Sequence, residues 1–187
     1  MKILHVLAQL PIKTGSGVYF TNVIEGLKQF DVEQAAVYAT TPEYDFNFLD
    51  EKFEVEFQGK DISFPSVGMS DIMPYENTLY KNMTAEMLET WQEEFRKKLE
   101  KAKKEFKPDV VITHHLWILS SIVCDVFEGE KVIGVCHNTD IRQAEKNPAM
   151  KDKYVKNLGK LDKILALSSG VIEGISNIYS YPEDRIV

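Results

Sequence analysis

Apolar positions along this chain change period repeatedly, and each change marks the end of one element and the start of another. Ile3, Leu4, Val6 and Leu7 form a short apolar run that predicts a buried strand. Phe20, Val23, Ile24 and Leu27 then fall at i, i+3, i+4 and i+7, one face of a helix. Residues 35–39 predict a second strand, and Phe53-Glu54-Val55-Glu56-Phe57 alternates as a short exposed strand does. A long helix is predicted from Thr84, whose side chain can cap it. Leu88, Trp91, Phe95, Leu99, Ala102 and Phe106 give it one apolar stripe, and Pro108 ends it. Further strands are predicted at 109–113, 131–136 and 163–167, and helices at 116–127 and 149–160. A last helix carries Val171, Ile172 and Ile175 with Ser168 as its cap, and Arg185-Ile186-Val187 begins one more strand.

Strands alternating with helices imply right-handed crossovers and a parallel sheet covered on both faces. The expected class is therefore α/β, a doubly wound parallel sheet, with residues 1–187 as a single domain. Residues 41–83 fit the pattern least. Past the alternating run, Pro65, Gly68, Pro74 and several aromatics follow without a period. A loop of that length in a compact domain is usually functional or mobile. Residues 60–83 are expected to be poorly ordered, or ordered by packing against a cleft.

Composition narrows the class. The net charge of −7 argues against a dedicated nucleic-acid binder, which needs a basic surface to displace counterions. The lysines at 97–107 lie mostly off the apolar stripe and alternate with glutamates. A solvated helix face is favoured there over peripheral contact with anionic lipid. Cys124 and Cys136 sit in apolar segments and read as buried thiols, which fits a reducing, cytoplasmic compartment.

In a doubly wound sheet, ligands bind outside the carboxyl ends of the strands, near the switch in strand order. Three polar groups follow strands here: Gly15-Ser16-Gly17, His114-His115 and His137-Asn138-Thr139-Asp140. If the first strand neighbours the one at 109–113, all three meet at one crevice. Glycines at the head of a helix expose amides to an anion. The spacing is neither the dinucleotide fingerprint, since Phe20 holds the third glycine position, nor a P-loop. A plain turn needing positive φ stays open as the alternative. His114 and His115 are adjacent and would point to opposite faces of a strand; His115 with Trp117 can equally be packing. An imidazole at His137 can hydrogen-bond a ligand hydroxyl or phosphate oxygen. Arg142 can grip an anion bidentately, or be a plain surface arginine. His5, inside the first strand, reads as a core histidine. A metal set of His114, His115, His137 and Asp140 is conceivable, although adjacent histidines chelate one metal poorly. No Ser-His-Asp order, Cys-His pair or pocket carboxylate pair stands out, so the chemistry reads as polar and phosphate recognition.

Taken in order, MKILHVLAQLPIKTGSGVYFTNVIEGL, FKPDVVITHHLW, VIGVCHNTD, LDKILALSSGVIEGI and YPEDRIV resemble the N-terminal domain of glycosyltransferase family 4. Those are retaining enzymes of the two-domain GT-B fold. The resemblance implies a Rossmann-like acceptor-side domain, a nucleotide-sugar donor, a sugar or lipid-linked acceptor, and no cofactor or metal. It implies phosphate or substrate contacts at Gly15, Ser16, Gly17, His115, Asn138, Arg142 and Ser168, with His137 beside the transferred sugar. It also implies a second, donor-binding domain after residue 187, without which the chain is expected to be inactive. A stand-alone sugar or nucleotide-binding module, or half of a GT-B sugar epimerase, are the alternatives.

Overall fold

The computed structural model describes all 187 residues and is built on a six-stranded parallel sheet. In chain order the strands are β1 (Lys2–Leu7), β2 (Glu33–Thr40), β3 (Glu51–Glu56), the two-residue β4 (Val67–Gly68) and β5 (Thr78–Leu79), β6 (Val110–His114), β7 (Lys131–Cys136) and β8 (Lys163–Ala166). The helices are α1 (Gly15–Leu27), α2 (Ala85–Glu105), α3 (Ile118–Val126), α4 (Thr139–Lys146), α5 (Pro148–Tyr154) and α6 (Ile172–Tyr179). The sheet order is β3-β2-β1-β6-β7-β8. The chain winds outward from β1 to β3, returns beside β1 at β6, and winds out the other way to β8. The strand order therefore switches between β1 and β6, where the loops leaving the two strands diverge and open a crevice.

Burial explains the strand sequences. β1 and β2 are covered on both faces, and apart from His5 their central positions are apolar without alternation. β3 is an edge strand, so only Phe53 and Val55 turn inward. On α2, Leu88, Trp91, Phe95, Leu99 and Ala102 are all buried, as the stripe predicts. Thr84 caps α2 by accepting from the Met87 amide at 3.2 Å. The lysine face pairs with acids: Lys97 with Glu93 and Glu94, Lys98 with Asp61, and Lys103 with Glu130. Cys124 and Cys136 are buried free thiols, and burial pushes the Cys124 thiol up to about 12. No helix is long and apolar enough to cross a membrane.

Several elements depart from the sequence reading. Helix α4 has no counterpart in it. Its buried positions are Asp140, Gln143 and Ala144, so it buries mostly polar side chains and carries no apolar period. The helix expected at 149–160 splits into α5 and a 3-10 turn at Leu158–Lys160, separated at Asn157, whose φ is +61°. Ser168 does not cap the last helix with its side chain; a 3-10 turn at Ser169–Val171 precedes α6 instead. The final strand is reduced to a single bridge between Ile164 and Ile186. Residues 60–83 follow the second of their two expected outcomes, order by packing: Ile62, Val67, Met69 and Tyr80 join the main core, and the Met69 carbonyl accepts from Gln143 Nε2 at 2.9 Å.

Trp91 is fully buried, with its ring 4.7 Å from Phe95 and 6.3 Å from Tyr80 between centroids. Trp91→Ala is expected to cost about 3–5 kcal/mol through lost burial and the cavity left behind. The midpoint of guanidinium unfolding measures it, with an unchanged slope if the unfolded state is unaffected.

Candidate functional site

A cavity of about 670 Å³ opens at the carboxyl end of the sheet. Its first wall is the loop after β1 and the head of α1, with Gln9, Lys13 to Ser16, and Tyr19. The segment from Met69 to Pro74 forms the second wall. His137 and Thr139 contribute from the loop after β7, and Leu167 from beyond β8.

The first wall is built around Gln9, which is buried. Its Nε2 donates to Thr14 Oγ1 at 2.9 Å and to Ser16 Oγ at 2.8 Å. Thr14 is the N-cap of α1, accepting from the Gly17 amide at 3.0 Å. The turn into the helix is made by Lys13, at φ +56°, and not by a glycine. Gly15 and Gly17 lie inside the first turn of α1, which corrects the expectation of a glycine turn before the helix. What Gly17 requires is space: a Cβ there would lie 2.8 Å from the Ile12 amide nitrogen and 3.0 Å from the Leu10 carbonyl. The Gly15 and Ser16 amides, at the positive end of α1, have no hydrogen-bond partner in the chain. Lys13 is exposed beside them, its ammonium 3.4 Å from the Tyr44 hydroxyl.

The histidines form one cluster. His114 ends β6, fully buried, with Nδ1 3.1 Å from His137 Nε2. His115 follows at φ +68°, out of the strand conformation. That twist brings both neighbouring rings onto His137, at centroid distances of 5.3 and 4.7 Å, where an extended strand would have sent them to opposite faces. His115 is buried, has no partner for either ring nitrogen, and does not line the cavity. His137 does line it. Burial depresses all four histidines: His5 and His137 to about 4, His114 and His115 well below their ordinary value. His5 is held from β2, its Nε2 3.0 Å from Gln34 Oε1.

Asp140 fixes this cluster from beneath. Its carboxylate is fully buried and accepts from the Leu116 amide at 2.8 Å, the His137 amide at 3.3 Å and the Ile141 amide at 3.2 Å. The Cys136 thiol donates to it at 3.4 Å. Burial holds its carboxyl above the ordinary carboxylate pKa, while these donors pull the other way. The two turns it ties down are those in which His115 and Asn138 adopt positive φ. No group of three or more His, Cys, Asp or Glu side chains is arranged to hold a metal ion.

The remaining candidates spread outward. Arg142 is exposed and lines a second cavity of about 310 Å³, which shares Met69, Ser70, Ile72 and Thr139 with the first. Asn138 is exposed beside His137, and Ser168 is exposed outside both cavities, next to Leu167. Sequence reasoning missed Gln9, Lys13, Thr14, Tyr19 and the Met69–Pro74 wall, and it named Thr139 only as part of the group after β7. Gln9 had a readable signal, a polar residue directly following an apolar strand. The wall had none.

No protein-family model and no curated protein matches the sequence. Solved structures do match its fold. The lipopolysaccharide outer core galactosyltransferase WaaB is similar at TM-score 0.62 and 14% identity, over 100% of this chain and 44% of that one. The UDP-GlcNAc 2-epimerase of Neisseria meningitidis, solved with UDP-GlcNAc, matches at TM-score 0.59 and 12% identity, over 100% and 46%. UGT89C1 of Arabidopsis thaliana, solved with UDP, matches at TM-score 0.50 and 12% identity, over 100% and 51%. The chain thus spans about half the length of these structures. Its architecture is that of one Rossmann-like half of a GT-B fold, as the sequence reading expects.

Two outcomes follow from the buried polar cluster. Asp140→Ala leaves three amides without their acceptor and is expected to cost about 3 kcal/mol or more, read as a fall in the unfolding midpoint. The histidines set a pH dependence. Their folded values lie below 6.5, so the unfolded chain binds more protons between about pH 6.5 and 4. Their contribution is fully present above pH 6.5 and is lost as the pH falls through that window. The Tm should be level from pH 8 to 7 and drop steeply toward pH 4; a level Tm down to pH 4.5 would contradict the neutral, buried cluster.

Proposed function

We propose that this chain is the acceptor-side half of a nucleotide-sugar glycosyltransferase, in which a second, donor-binding domain closes over the 670 Å³ cavity. The observation that carries the reading is the convergence of two features on that cavity. Unpartnered amides at the head of α1 are suited to receive an anion, and His137 supplies a polar group to the same cavity. A departing nucleotide diphosphate suits the first, and a sugar hydroxyl suits the second. The reaction is transfer with retention at the sugar carbon, the mode that the family resemblance implies. As the phosphate leaves, positive charge develops on the sugar ring. Side chains held in place before that moment lower the barrier by orientation and electrostatics. Gly15, Ser16 and Lys13 are placed for the phosphates, and His137 for the sugar. Arg142, lining the adjoining cavity, is placed for an anionic group on the acceptor.

A second reading has its own support. UDP-GlcNAc 2-epimerases match this fold as well as the transferases do, at TM-scores of 0.59 and 0.62. Both readings need a nucleotide sugar, and product analysis separates them. The complete enzyme would be incubated with a panel of nucleotide sugars, with and without candidate acceptors, and followed by mass spectrometry and NMR. A mass gain on an acceptor supports transfer. An isomerised nucleotide sugar of unchanged mass supports epimerisation. Neither product across the panel would sink both.

His137→Ala in the complete enzyme is expected to lower kcat/KM by about 10 to 1,000-fold, or about 1.4–4 kcal/mol of transition-state stabilisation. The rate must be normalised to folded protein, because the mutation also strips His114 of its partner. Unchanged turnover with a large fall in Tm would assign His137 to structure alone.

A further inference from the structure

Four histidines in so short a chain are placed unevenly: three are buried, one of these held by a glutamine, and only the fourth reaches the cavity. The contact between His114 and His137 constrains what that last ring can do. Only one hydrogen lies between His114 Nδ1 and His137 Nε2, which are 3.1 Å apart. Two arrangements are possible for a pair of neutral rings. In the first, His114 carries its proton on Nδ1 and donates to His137. In the second, His137 donates from Nε2, and His114 must carry its proton on Nε2.

The second arrangement has a defect. His114 Nε2 is buried and has no hydrogen-bond partner. A proton there would be an orphaned buried donor, which is rarer in proteins than an orphaned acceptor. The first arrangement leaves only a lone pair unmet. With Nε2 of His137 then acting as acceptor, a neutral His137 must hold its proton on Nδ1. That atom has no partner in the chain, and it is not one of the buried polar atoms without one. It opens onto the cavity that His137 lines.

We propose that His114 is a positioning residue that locks His137 in the Nδ1–H tautomer, so that His137 presents a hydrogen-bond donor, and no lone pair, to the cavity. Burial keeps both rings neutral at pH 7, which the argument requires. His115, packed 4.7 Å away on His137, and Tyr19, at 5.3 Å, hold the ring plane. The ligand group facing His137 must then be an acceptor oxygen, of a sugar hydroxyl or a phosphoryl group, and His137 cannot serve as a general base from that face. The assignment of that oxygen to a nucleotide sugar rests on the function proposed above; the tautomer does not.

The test is a long-range ¹H–¹⁵N spectrum of the histidine rings of this chain at pH 7, with the His137 resonances assigned by their loss in His137→Gln. The expected pattern has Nδ1 in the protonated range and Nε2 in the unprotonated range. The reverse pattern would overturn the inference. His114→Phe keeps a ring but removes the donor, and His137 should lose the pure pattern, with more than about half of its population moving to Nε2–H, the form preferred by free imidazole. An unchanged pattern in a folded His114→Phe would also overturn it. His114→Asn places an amide N–H near the position of Nδ1 and should keep the wild-type pattern. The wild-type spectrum decides the tautomer even if His114→Phe fails to fold. The expected pattern in an enzyme that acts on no nucleotide sugar would retain this inference and reject the proposed function. The reverse pattern in an active transferase would do the opposite.

Discussion

The candidate site depends first on one buried carboxylate. Asp140 sits in the first turn of α4 and accepts from amides on the loop after β6 and on the loop after β7. Both loops bend through positive φ, at His115 and at Asn138, a conformation that costs a non-glycine residue free energy. An anion with several amide donors offsets that cost and makes the bends specific. Without it, the two loops would have no common anchor, and the rings of His114, His115 and His137 would have no reason to meet.

The same cluster shows how the fold trades stability for chemistry. Burying a polar group is unfavourable unless its hydrogen bonds are met, and His115 has neither nitrogen satisfied. The aromatic surroundings, Phe20 and Tyr19 against His114 and His137, exclude water from the rings and hold them neutral. A neutral imidazole at the floor of a polar cavity is a directional group more than a charge. The positive character of the cavity comes from elsewhere, from the α1 amides and Lys13 on the first wall. The first wall and the wall that holds His137 can then meet different parts of one ligand.

Topology brings these walls together. The strand order switches between β1 and β6, so the loop after β1 and the loop after β6 part from each other at the carboxyl edge. Gln9 then uses a single amide group to fix both the cap and the second residue of α1. The Met69–Pro74 segment closes the remaining side by bonding to Gln143 of α4, the helix that Asp140 anchors. Each wall is thus tied to the sheet through one buried polar side chain. Solved structures of a galactosyltransferase and of a UDP-GlcNAc 2-epimerase share the fold of this chain.

The amino-acid sequence by itself determined the sheet and its main helices. Apolar runs at 3–7, 109–113 and 131–136 are long enough to specify buried parallel strands, and the stripe from Leu88 to Phe106 specifies one face of α2. It also marked His137, a polar residue directly after an apolar strand, and the Gly15-Ser16-Gly17 stretch, glycines at the head of a helix pattern. Only the tertiary structure decided the rest. Helix α4 buries Asp140 and Gln143, and a helix that packs through polar groups leaves no hydrophobic signature. The positive φ at His115 sits in a turn held by hydrogen bonds to Val135 and Asp140, far along the chain, which local propensity does not encode. The wall at Met69–Pro74 is tied to α4 by Gln143 on the Met69 carbonyl and Lys146 on the Asp71 carboxylate, 74 and 75 residues away in the chain, and contacts of that range belong to the fold and not to the segment.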